Sequence, residues 1–356
     1  MRPSSLYALF AVTVVAVVVA VLVSLGGGSA ETDPRVRQPV LPNLTQRLAD
    51  VARVTDIKGD TKTTLVRRDG VWRVEEKYDY PADAGKMKTT LFGLAAVKYA
   101  EPKTAKPDLY SRLDVEDPGK KGTDSALVTL SDSTGKLMAE MIFGKRRYDI
   151  FGGGNDGIYV RKPGEAQSWL ANGSLTLPNG TLDWIDRRIS MIKADTIASA
   201  KFISPDGATV AISRAKKGDK LALAGGVPKG QKLKSDGALD DLARGLDYFS
   251  LDDVMPATSV PFPDKGVSQA IYTTLDGMIV TIYMIERDEL TKDDSGKDVT
   301  KKKYWVKLIA TGAGKGAKDA AEFNKRVAAW AYAVPDYKAN AFKTRLSDLT
   351  EPEKSS

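Results

Sequence analysis

Hydrophobic and polar positions change period several times along this chain, and each change predicts an element. Leu6 to Leu25 is an unbroken apolar run without a charge. At about 1.5 Å per helical residue it reaches roughly 30 Å, a bilayer's hydrocarbon thickness, so it predicts an uncleaved membrane anchor rather than a shorter signal. Residues 26–42, rich in Gly and Pro, predict a tether. From Asn43 the period turns helical, with Leu44, Leu48 and Val51 on one side and Asn43 and Gln46 placed to cap. Residues 62–68 and 71–77 then alternate around Asp69-Gly70, the pair that suits a tight hairpin. Asp83 stands before Met87, Leu91, Leu94 and Ala95 at helical spacing, and strands are predicted over 126–131, 136–143 and 158–162.

The same order returns from Leu182. A short helix carries Leu182, Ile185 and Ile189; strands cover 197–204, 208–214 and 220–224; Leu239, Leu242 and Leu246 mark a second helix. Strands at 269–275, 278–286 and 303–310 follow, then a helix over 318–333. Each half passes to a helix containing a tryptophan, Trp169 or Trp330. The predicted fold class is α+β: an N-terminal transmembrane helix followed by two tandem, related α-β-β-β-α-β-β-β units with mainly antiparallel sheets. The organisation reads 1–5 cytoplasmic leader, 6–25 anchor, 26–42 linker, 43–178 first unit, 179–350 second unit and 351–356 tail.

Composition narrows the chemistry. The chain has no Cys and no His, which excludes Ser-His-Asp, Cys-His and HExxH catalysis, disulfides and zinc-thiolate sites. A lipid-anchoring cysteine is excluded for the same reason. With 53 Lys plus Arg against 46 Asp plus Glu the net charge is +7. Behind an anchor with a five-residue leader, the bulk is expected in the periplasm, single-pass from the bacterial inner membrane, where nucleic acid is no partner. Asn43, Asn172 and Asn179 read as turn and cap residues.

Several segments look chemical. Gly152-Gly153-Gly154-Asn155-Asp156-Gly157 matches a dinucleotide fingerprint literally, but Ile158–Arg161 leaves it as a strand where that motif needs a helix. Gly312 to Gly316 lacks phosphate-loop spacing, and Ser133-Thr134-Gly135-Lys136 sits in a predicted hairpin turn, not at the helix start of a Ser-Lys acyl enzyme. Asp252-Asp253 and Asp183 with Asp186 are the carboxylate pairs that acid–base chemistry could use, and read more simply as caps and surface. Asp293, Asp294 and Asp298 lack calcium-loop spacing. Trp72, Trp169, Trp184, Trp305 and Trp330 read as core. No catalytic, cofactor-binding or metal residue is assigned, and no cofactor is expected.

The stretches LVRRDGVWRV (65–74), YPADAGKMKTTLFGLAAVKYAEPKT (80–104), LYSRLDVEDP (109–118), YVRKPGEAQSWL (159–170) and LDWIDRRI (182–189) resemble the bacterial uncharacterised domain family DUF4340. That resemblance implies an anchored protein exposed outside the cytoplasm, encoded beside gliding-motility-type ABC transporter subunits, one of them extracytoplasmic. It carries no catalytic residues. The expected function is a non-enzymatic, membrane-anchored periplasmic accessory or scaffold protein of such a system, with the transporter's extracytoplasmic and permease subunits as partners and residues 6–25 in the membrane. The alternative is an envelope ligand-binding module for a glycan, lipid or peptide, using a cleft between the two units.

Overall fold

The computed structural model describes residues 33–353, apart from 120–121, 236, 264 and 293–294. The leader 1–5, the apolar segment 6–25, residues 26–32 and residues 354–356 lie outside the described residues, as do Asp293 and Asp294.

The first nine strands are β1 Arg53–Lys58, β2 Thr61–Arg68, β3 Val71–Val74, β4 Tyr80–Pro81, β5 Lys98–Pro102, β6 Ala126–Ser131, β7 Leu137–Arg147, β8 Gly157–Arg161 and β9 Ser168–Asn172. Residues 33–62 and 88–177 form one compact unit; residues 63–87 group with 178–353 in a second. In the first unit the strand order is β1-β6-β7-β8-β9-β5, antiparallel throughout. Alternation sets the register: Val128 and Leu130 of β6, Met141 and Phe143 of β7 and Trp169 and Ala171 of β9 are all buried. Each fully buried aliphatic or Phe side chain contributes about 1.5–3 kcal/mol. Asp83 caps the helix Ala84–Ala96, its Oδ1 accepting the Lys86 N–H at 3.0 Å.

The second unit holds the antiparallel meander β2-β3-β4, whose Asp69-Gly70 turn has φ of 51° and 76°, the left-handed pair that a two-residue hairpin requires. Its further strands are β10 Arg188–Ser190, β11 Ile197–Ile203, β12 Thr209–Ser213, β13 Ala222–Leu223, β14 Gln231–Leu233, β15 Phe249–Ser250, β16 Asp253–Pro256, β17 Ser268–Thr274, β18 Met278–Lys292, β19 Asp298–Gly312, β20 Trp330–Val334 and β21 Thr350–Pro352. Eight of these form one sheet, β13-β12-β11-β17-β18-β19-β20-β16. Six strands of each unit connect in the same order: β11-β17-β18-β19-β20-β16 repeats β1-β6-β7-β8-β9-β5.

Several expectations are corrected. The α+β class gives way to a mostly β protein of antiparallel sheets: among the described residues only the helices Ala84–Ala96 and Lys315–Val327 exceed seven residues. Trp169 and Trp330 lie in β9 and β20, not in helices, because a half-buried strand accepts a tryptophan as readily as an amphipathic helix does. The helix read from Leu182 to Ile189 is one turn, Thr181–Trp184, after which Ile189 enters β10. Asn43 makes no capping hydrogen bond at Leu44–Arg47. Residues 37–40 of the expected tether run beside β5, with Val40 N–H on Val97 O at 3.0 Å and Tyr99 N–H on Gln38 O at 2.9 Å. Glu351 and Pro352 of the expected tail pair with β14.

The transmembrane element and the single-pass inner-membrane placement with a periplasmic bulk are corrected too. No helix among the described residues is long and apolar enough to cross a membrane. The two longest have 13 residues each, so they reach about 20 Å where roughly 30 Å is needed.

Candidate functional site

The residues that looked chemical are occupied locally. Asp132 fixes the turn at Ser133–Lys136 by accepting from Thr134 N–H at 2.9 Å and Lys136 N–H at 3.0 Å, and Thr134 Oγ1 donates to it at 2.7 Å. The glycine run 152–154 sits in a loop between β7 and β8, closed by Arg146 on Asp156 and by Gly154 N–H on Asp149 Oδ1 at 2.7 Å. Gly312 to Gly316 joins β19 to the helix Lys315–Val327. Asp298 pairs with Lys292 at 3.0 Å.

The carboxylate pairs are not poised for acid–base work. Asp252 faces Arg187 at 3.4 Å, and the Asp183 carbonyl accepts from Lys86 at 2.6 Å. Burial pushes the Asp186 and Asp253 carboxyls up. Hydrogen bonds and the nearby positive charges, Arg188 with Arg326 and Lys77 with Lys303, together outweigh that effect and leave both below the ordinary range. A general acid needs the opposite shift. Asp253 belongs to a chain of charges in the second unit: Lys77 reaches it at 2.7 Å, Lys303 lies 3.6 Å from it and 3.4 Å from Glu289, and Trp305 Nε1 donates to Glu289 at 2.6 Å. Trp169, Trp184 and Trp305 are fully buried core pieces; Trp72 and Trp330 are partly exposed.

What the structure adds is a set of openings beside interrupted strand pairings. In the first unit β8 stops at Arg161, because Pro163 cannot donate to the ladder. β7 meets β8 only from Ile142 onward, so Leu137–Met141 keeps one edge without a strand partner. That edge borders a groove of about 680 Å³ whose other wall is Pro39, Val40 and Pro42, with Tyr99 between. Leu137 is 52% exposed there. At one end Arg35 lies over Trp169 at 4.5 Å from the ring centre and reaches Glu165 at 3.4 Å, which also holds Lys162 at 3.2 Å. Two of the cations along the rim are thereby matched by an acid.

A second opening of about 600 Å³ in the same unit overlies Arg161. The Arg161 side chain is buried: Nε donates to Val115 O at 2.8 Å, Nη1 to Glu165 O at 3.2 Å and Nη2 to Asp117 Oδ1 at 2.5 Å, with the Tyr110 ring 4.5 Å away. It supports the loop that carries Val115 rather than offering itself to solvent. A third opening, of about 460 Å³, lies in the second unit beside β18. None of the three carries a sequence motif. The one usable signal for the groove is Pro163, which ends β8 five residues short of the start of β7's own pairing.

Compared with known proteins, the chain matches a family model described as a domain of unknown function, DUF4340, over residues 72–268. No curated protein matches it. The matched stretch covers more than half of the 356 residues and spans β3 to the start of β17. The chain therefore belongs to the DUF4340 family.

Proposed function

We propose that this protein is a non-enzymatic accessory or scaffold subunit of an ABC-type, gliding-motility-like transport system, and that it works by holding an extended polypeptide segment of a partner. The observation that carries the reading is the β7 edge at Leu137–Met141 in its apolar groove. Free N–H and C=O groups on a strand edge are satisfied by another extended backbone, and alternate side chains of that segment fill the pockets beside it. Leu137, Met138, Val40 and the two prolines suit apolar side chains, and the matched charges at the rim add little selectivity for either sign. The ion pairs that hold Asp186, Asp252 and Asp253 and the turn built on Asp132 support a role without chemistry of its own.

Photo-crosslinking tests this directly. A benzophenone amino acid in place of Leu137 in the full chain, expressed in its own cells, is expected to capture a transporter subunit, and Met138→Arg is expected to abolish the product. Capture confined to this chain itself, or an unchanged product in the arginine variant, would refute the reading.

A further inference from the structure

The two units differ at one strand connection, and the difference shows what the groove of the first unit lacks. β18, β19 and β20 of the second unit take the places that β7, β8 and β9 take in the first. β9 follows β8 after residues 162–167 alone, where Glu165 N–H closes a turn on Lys162 O at 3.0 Å. β20 follows β19 after a longer excursion. β19 pairs with β20 no further than Val306, yet it continues along β18, with Leu308 opposite Ile282 and Gly312 opposite Met278, before the helix Lys315–Val327. Met278 opens β18 after the turn at Asp276-Gly277, as Leu137 opens β7 after the turn at Ser133–Lys136. The start of β18 is therefore covered by an extended segment of its own chain, whereas the same edge of β7 at Leu137–Met141 faces the groove.

The filled copy also shows how such a segment is read. Leu308 and Ala310 are buried beside Ile282 and Val280, while Ile309 between them is 45% exposed. Only alternate residues need to be apolar, as the period of a strand requires. The far edge of that segment is closed at Ala310, whose N–H donates to Asn324 Oδ1 at 2.8 Å and whose carbonyl accepts from Asn324 Nδ2 at 2.7 Å. In the first unit the facing wall holds Pro39 and Pro42, which have no N–H, and Val40, whose N–H is spent on Val97 O. A guest in the groove thus takes its main-chain bonds from β7 and packs against the prolines.

We propose that the groove takes its partner's segment antiparallel to β7, with apolar side chains at alternate positions, as the end of β19 takes the start of β18. The carboxyl end of the segment lies at Leu137 and its amino end at Met141. It supplies the strand extension that Pro163 cuts short in the first unit. The inference rests on the peptide-holding reading above and adds to it the direction and side-chain pattern of the guest.

A chain without cysteine lets disulfide exchange read that direction. The probes are Lys-Leu-Ile-Ala-Thr-Gly, the sequence of residues 307–312, with one cysteine added at either the amino or the carboxyl end. Full-length Leu137→Cys and Glu140→Cys chains, each with an unchanged melting temperature, are equilibrated with both probes in a glutathione buffer, and mixed disulfides are counted by mass spectrometry. Leu137→Cys is expected to favour the carboxyl-end probe by at least about tenfold and Glu140→Cys the amino-end probe, because only the adjacent thiol gains in effective concentration. Probes with Leu and Ala both replaced by Asp are expected to exchange no better than free cysteine. The reverse preference would overturn the antiparallel assignment and leave the peptide-holding reading standing. Indifference to the position of the cysteine would overturn the assignment, and equal exchange by the Asp probes would overturn the side-chain pattern. Exchange no better than free cysteine for every probe would overturn the peptide-holding reading as well.

Discussion

Replacing Arg161 with Met separates two explanations of why a cation is buried in the first unit. If the ion pair to Asp117 were the stabilising contact, Asp117→Asn would cost as much as Arg161→Met. Asp117 is 78% exposed, however, and an exposed partner contributes at most about 1 kcal/mol. The weight falls instead on Val115 O and Glu165 O, which receive Arg161 Nε at 2.8 Å and Nη1 at 3.2 Å. Removing the donor leaves both carbonyls without it, at about 1–3 kcal/mol each, and loses the contact with the Tyr110 ring, about 0.5–1 kcal/mol or more. Methionine refills much of the volume, so the expected total is about 3–5 kcal/mol. A difference of about 3 kcal/mol is a factor of roughly 10² in the opening equilibrium that hydrogen exchange reads. Amides of β8 and β9 should therefore lose roughly that factor of protection in Arg161→Met and less than about tenfold in Asp117→Asn. Equal losses in the two variants, or a loss below tenfold in the first, would refute the carbonyl argument.

Two further outcomes follow from the second unit. A Cβ at Gly316 would run into the backbone of Gly277 and Met278, whereas one at Gly237, where φ is −90°, meets nothing within 4 Å; Gly316→Ala should lower stability by about 1–3 kcal/mol or more and Gly237→Ala by no more than about 0.5, as read from urea midpoints. Burial pushes the Tyr80 hydroxyl from 10.0 up to about 12 and raises its neighbour Tyr332 as well, so the folded state keeps protons that the unfolded chain releases. The sign follows from linkage: this contribution is fully present below pH 10 and is lost as pH rises through about 12. Tyr80→Phe with Tyr332→Phe should flatten the alkaline fall in stability, and tyrosinate absorbance that reaches its full amplitude near the ordinary tyrosine range in the folded protein would contradict it.

The legible parts of the fold were those where local chemistry and tertiary context agree. Asp69-Gly70 needs two left-handed residues in any context, and Asp83 caps whatever helix follows it, so the β2–β3 hairpin and the helix Ala84–Ala96 stood out. Period-two stretches such as 126–131 and 269–275 matched β6 and β17 for the same reason. Trp169 and Trp330 lie in strands because a single aromatic among small residues fits either period. β18 and β19 run 15 residues each, well past the apolar alternation that predicted 278–286 and 303–310. Their outer parts are polar and are held by cross-strand pairs, Glu286 with Lys302 and Lys292 with Asp298, which no hydrophobic pattern reveals. The openings were invisible in the sequence. The groove arises from a difference in the lengths of two strands, and the third opening from Pro205, Pro261, Met284 and Lys343, which are far apart in the chain.

The reach of β18 and β19 beyond their neighbours has a practical consequence. Past Met284 on one strand and before Tyr304 on the other, the two pair only with each other, while their inner halves are held by β17 and β20. A cut or an added sequence at the tip, between Lys292 and Asp298, would leave both inner halves registered in the sheet. Trypsin, which meets the exposed Lys297 there, should nick the ribbon without releasing either piece, and a tag or dye inserted beside it should report on the protein without disturbing its core.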